Sequence, residues 1–104
     1  MEQAPTRFVA ECFWPDIRRS DLDALDRRVR DATAELARTS SIRYLGSMLL
    51  REDEVVFCQF EGSAAAVRAV AERAGIPFER VIETVFRESV SPAEDPTPER
   101  SSDA

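Results

Sequence analysis

An α+β sandwich, with one antiparallel sheet of four strands covered on one side by two helices, is what this sequence predicts, and three observations predict it. Apolar residues run in four short β-like stretches and recur at helical spacing in two longer ones, in the order strand–helix–strand, strand–helix–strand. The two halves are joined by a short charged link, Arg51-Glu52-Asp53-Glu54, of a length that makes a β-hairpin. The chain has 104 residues, 43% of them hydrophobic, which suits a single domain with a single core.

Each element has its own signature. Arg7 to Trp14 (RFVAECFW) is rich in aromatic and β-branched residues and is halted by Pro15-Asp16, so it reads as a strand. Ser20 opens a helix, with Asp23 three positions later in a variant of the capping box. Leu22, Leu25, Val29, Ala32 and Leu36 make one apolar stripe. On the other face Asp23–Arg27 and Asp26–Arg30 stand at i,i+4, each pair worth about 0.2–0.5 kcal/mol. Thr39-Ser40-Ser41 breaks the pattern, and Ile42 to Leu50 and Val55 to Phe60 are the strands of the hairpin. Gly62-Ser63 caps a second helix whose inner stripe is Ala66, Val67, Val70, Ala71 and Ala74. Gly75 is a left-handed stop and Pro77 forbids continuation. Arg80 to Arg87 (RVIETVFR) is the fourth strand.

Residues 1–6 are expected to form a flexible start, 7–87 the folded domain, and 88–104 an acidic tail too poor in apolar side chains to offset its ordering entropy. Crossovers of the usual hand give the strand order 4-1-3-2, the ferredoxin-like βαββαβ sandwich.

Charge and composition exclude several functions. The net charge is −6, from 20 acidic and 14 basic residues. Most of it belongs to the tail, where Glu88, Glu94, Asp95, Glu99 and Asp103 stand against Arg100 alone. In the body arginines alternate with carboxylates, so the one-sided basic surface of a nucleic-acid binder is missing. No apolar run approaches the ~20 residues of a membrane span, and no basic start precedes an apolar stretch as in a secretory leader. Histidine is absent, which removes His-based triads and His-rich zinc sites. Cys12 and Cys58 lie in apolar runs without Cys-x-x-Cys spacing, as free core thiols of a cytoplasmic protein do.

The two helices cover only one side of the sheet, and strand periodicity sorts what faces the other. In the first strand Phe8, Ala10 and Cys12 are wholly apolar, whereas Val9, Glu11 and Phe13 include a carboxylate. In the third, Val56, Cys58 and Phe60 stand against Val55, Phe57 and Gln59. Burying an unpaired charge is costly, so Glu11 and Gln59 belong on the open face, and the same reasoning turns Glu83 outward with Val81 and Val85. The face of Tyr44 is not fixed by this argument. A broad apolar patch with a few polar groups marks a partner interface or a ligand pocket. The expected partner is a second copy of the chain, with Glu11, Phe13, Phe57, Gln59 and Glu83 around a small apolar ligand. Glu11 and Glu83 on neighbouring strands would form a paired-carboxylate site, for proton transfer or for a hard cation.

The segments FVAECFWPD, VVFCQFE, AVRAVAERAG and IPFERVIETV together resemble a small bacterial family, largely of unknown function, that includes a nickel-binding protein. Glu11, Pro15, Cys58, Arg68, Gly75, Pro77 and Arg80 carry the resemblance. It implies a ferredoxin-like protein that dimerises by packing sheets into an α+β barrel. The nickel-binding member carries histidines around the second helix and the Gly-x-Pro turn, where this chain has Ala71 and Ile76. No cofactor is therefore expected, and nickel is not carried over. The expected function is that of a small dimeric ligand-binding or accessory protein. The alternative is a cofactor-free enzyme, of isomerase, cyclase or monooxygenase type, using Glu11 in the cavity of the dimer.

Overall fold

The strand and helix signals fold in the order in which they occur. A computed structural model describes residues 6–87 and 89, with β1 (Arg7–Phe13), α1 (Arg19–Leu36), β2 (Ile42–Leu50), β3 (Val55–Gly62), α2 (Ala64–Ala74) and β4 (Phe78–Thr84). The strands form one antiparallel sheet in the order β2-β3-β1-β4, the predicted order read from the opposite edge. The expected flexible start and acidic tail lie, apart from Thr6 and Ser89, outside the described residues.

The core sits between the sheet and the helices. Ala10, Cys12, Val56, Cys58 and Phe60 of the two central strands meet Leu25 and Val29 of α1 and Val67, Val70 and Ala71 of α2, all fully buried. Each large side chain among them contributes about 1.5–3 kcal/mol by leaving water. The helical stripes are those read from spacing, with Leu22, Leu36 and Ala66 at their margins.

The caps differ slightly from expectation at α1. The helix starts at Arg19, and Asp21 rather than Asp23 closes its first turn, its Oδ2 accepting from the Arg18 N–H at 2.9 Å. At α2 the Ser63 hydroxyl oxygen accepts from the Ala66 N–H at 3.1 Å, and Gly75 ends the helix at φ 69°. The two helices are tied where Arg28 Nε donates to the Ala74 carbonyl at 2.9 Å, satisfying one orphan acceptor of the α2 C-terminus.

Both edge strands depart from simple alternation. In β2 the register with β3 shifts between Tyr44 and Gly46, so Leu45 is the extra residue of a bulge. Ile42 and Tyr44 face the helices before it, and Ser47 and Leu49 after it. In β4 the strand runs from Phe78 to Thr84, earlier than the expected Arg80 to Arg87, and its pairing with β1 shifts between Glu11 and Cys12.

Candidate functional site: the open face of the sheet

Antiparallel partners share a face, so the register lays out the uncovered side in rows. From β2 to β4, one end carries Arg43, Glu61, Arg7 and Thr84. The next row is Gly46, Gln59, Val9 and Ile82. The third is Met48, Phe57, Glu11 and Arg80, and Leu50, Val55 and Phe13 close the far end. An apolar band thus runs between charged groups at one end and a single ion pair beside β4.

Among the described residues the exposed large hydrophobics are Phe13 (49%), Met48 (50%), Val85 (86%) and Phe86 (70%). Phe13 and Met48 belong to this face. The Phe86 ring, just beyond β4, lies under the Arg7 guanidinium at 5.5 Å and extends the same side.

The carboxylates of the face are all partnered by arginine. Glu61, whose side chain is only 14% exposed, holds Arg7 at 3.5 Å and Arg43 at 3.2 Å. Glu11 Oε1 accepts from Arg80 Nε at 2.5 Å, across the β1–β4 ladder. Hydrogen bonding to that carboxylate holds the Arg80 guanidinium above its ordinary value.

Of the site residues read from sequence, Glu11, Phe13, Phe57 and Gln59 share the open face, but Glu83 does not. Glu83 pairs with Phe8 on the helix side, where it reaches solvent because β4 is the edge strand. Val81 pairs with Ala10 and packs against the core, and Val85 lies past the end of the strand. The paired-carboxylate site of Glu11 with Glu83 therefore does not form, and Ile82 takes the outward place assigned to Val81. The sequence reading missed Arg80, whose parity with Ile82 was the available signal, and the Arg7–Glu61–Arg43 cluster.

Tyr44 and the two cysteines are polar groups on the helix side of the sheet. Tyr44 stacks near Phe60 with ring centroids 5.3 Å apart, and its hydroxyl donates to Asp26 Oδ1 at 2.9 Å. Asp26 in turn pairs with Arg30 at 3.2 Å, so two of the polar groups in the groove of about 470 Å³ between α1 and β2 satisfy one another, beside a wall that includes the apolar Ala34, Ala37, Ile42 and Leu45. Burial, reinforced by the Asp26 carboxylate, pushes the Tyr44 hydroxyl up from its ordinary value. Cys12 and Cys58 are free, fully buried, and diagonal across the β1–β3 ladder on the core face. Hydrogen bonding to Cys12, and then burial, push the Cys58 thiol up, which holds it protonated.

Among the described residues no group of three or more Cys, Asp or Glu side chains is placed to hold a metal ion. Ala71 and Ile76, which stand where the resemblance implies histidines, are both buried core residues. No helix among the described residues is long and apolar enough to cross a membrane.

Residues 8–84 match a family model described as nickel responsive protein SCO4226-like. No curated protein matches the chain closely enough to count as a relative. The crystal structure of SCO4226 from Streptomyces coelicolor A3(2) is similar, with a TM-score of 0.59 at 20% identity, covering 79% of this chain and 99% of that one. At that identity the likeness speaks for the fold.

Proposed function

The chain belongs to the nickel responsive SCO4226-like family, and on that premise we propose that it is a small accessory or ligand-binding protein that acts as a homodimer through the open face of its sheet. The observation that carries this reading is the clustering of exposed apolar side chains. Phe13, Met48 and Phe86 lie on or beside one face, around Val9, Val55, Phe57 and Ile82. A patch of that kind on a small domain marks a binding surface.

A second copy fits it by symmetry, because a twofold interface apposes one patch to itself. No unpaired carboxylate on the face opposes closure, since Glu11 is held by Arg80 and Glu61 by Arg7 and Arg43, and the one surplus positive charge lies with that last cluster at the end of the sheet. Two such faces closing into a barrel would leave a cavity lined by Phe13, Phe57, Gln59 and Glu11, suited to a small apolar ligand with one hydrogen-bonding group. The two free thiols fit a reducing, cytoplasmic setting.

A cofactor-free enzyme would use Glu11 as its acid or base. The Arg80 guanidinium already occupies that carboxylate, which favours the binding reading. Sedimentation velocity and light scattering at micromolar concentration test the proposal. A particle of twice the chain mass is expected, and a stable monomer overturns it.

A further inference from the structure

A family described as nickel responsive raises the question of where Ni(II) would sit, and the donor atoms of this chain answer it. Nickel suits imidazole nitrogen and thiolate sulfur, whereas isolated carboxylate oxygen suits magnesium, calcium or manganese. The whole sequence contains no histidine. Its thiols, Cys12 and Cys58, are both 0% exposed between the sheet and the helices. Ionising them there would place charge in an apolar interior with no path for the metal. The segments outside the described residues add carboxylates and hydroxyls but neither imidazole nor thiol.

The open-face carboxylates are already satisfied. Arg80 holds Glu11, and Arg7 with Arg43 brackets Glu61. A divalent cation entering this face would have to displace a guanidinium and then sit among three arginines, where like-charge repulsion opposes it. We infer that this member of the family is nickel-independent: on its open face arginine side chains, rather than a metal ion, serve as the counter-ions of Glu11 and Glu61. The inference stands for the single chain and for a dimer alike, because a second copy brings in only the same arginine-paired carboxylates and no imidazole.

The test is a calorimetric titration of the tag-free, full-length protein with nickel chloride, alongside thermal unfolding with and without the metal. A site filled at a hundredfold excess over its Kd would add ~2.7 kcal/mol of stability, which for a domain of this size raises Tm by roughly 10–20 °C. The expected result is no saturable heat in the micromolar range and an unchanged Tm. Saturable binding of one nickel per chain, or a rise in Tm of that size, overturns the inference. Either result leaves the oligomer measurement above unaffected, so the two readings fail separately.

Discussion

Phe57→Asp puts a carboxylate in the middle of the open face, directly opposite Glu11 on β1 and Met48 on β2. Its costs within and between chains separate cleanly. Within one chain, like charges facing each other across a ladder cost about 0.2–1 kcal/mol, and the core of Val56, Cys58 and Phe60 on the other side is untouched. The variant should therefore stay folded. Between chains, each copy loses an aromatic anchor worth about 1.5–3 kcal/mol when buried. Twofold symmetry doubles this to about 3–6 kcal/mol, a weakening of roughly two to four orders of magnitude. The two buried carboxylates add to it, at several kcal/mol per ion even after relaxation and water penetration. A micromolar dimer would become a monomer at any practical concentration. Sedimentation velocity reads the mass and circular dichroism checks the fold, with Phe57→Leu as a control that keeps the dimer. A folded Phe57→Asp protein that sediments with an unchanged wild-type dimer would refute the assignment of this face.

The remaining predictions concern the scaffold. Tyr44 is the only tyrosine, so a spectrophotometric titration reads it alone, and it should ionise above the usual value of about 10. Because the folded state holds that proton more tightly than the unfolded chain, stability should fall as pH climbs past that value; ionisation at or below it would contradict the burial and the Asp26 contact. Gly62→Ala, at φ +150° with an ideal Cβ 2.8 Å from the Ser41 carbonyl oxygen, should cost about 1–3 kcal/mol in urea unfolding with an unchanged m-value. Gly46→Ala has a similar φ of +132° but open space around the Cβ, so it should cost less. Cys12 and Cys58 should both resist a thiol reagent in the native protein and react only after denaturant is added; rapid native labelling would show that the core opens where it is described as sealed.

The central strands and the helices were legible because their patterns allow one solution. In β1 and β3 one parity is wholly apolar and the other contains Glu11 or Gln59, so the cost of burying a polar group picks the face. In the helices the stripes ending at Leu36 and Ala74 could face only the sheet. The edge strands were less legible for a different reason. The bulge at Leu45 reverses the parity of β2 midway, so no single alternation describes it, and Tyr44 and Leu49 face the helices although one is even and the other odd. In β4 both parities mix apolar and charged residues, Val81 with Glu83 and Ile82 with Arg80. The penalty for burying Glu83 also vanishes at a sheet edge, where the side chain reaches water from the covered side. The desolvation cost that fixes the faces of the central strands therefore does not act there.

The error at β4 bears on function through register. Placing Glu83 beside Glu11 made the open face a site of like-charge strain, the arrangement expected of a proton-transferring pair. The β1–β4 ladder instead sets Arg80 against Glu11. That register follows from a strand that begins at Phe78, directly after Pro77, and from the irregularity between Glu11 and Cys12, features that alternation does not encode. With Arg80 in place, the one carboxylate near the centre of the apolar band enters any closed interface as half of a neutral pair. An unpaired Glu11 would resist being covered by a second sheet; a paired one permits it. The same contact thus gives Glu11 a counter-ion within its own chain and makes the face suited to being covered.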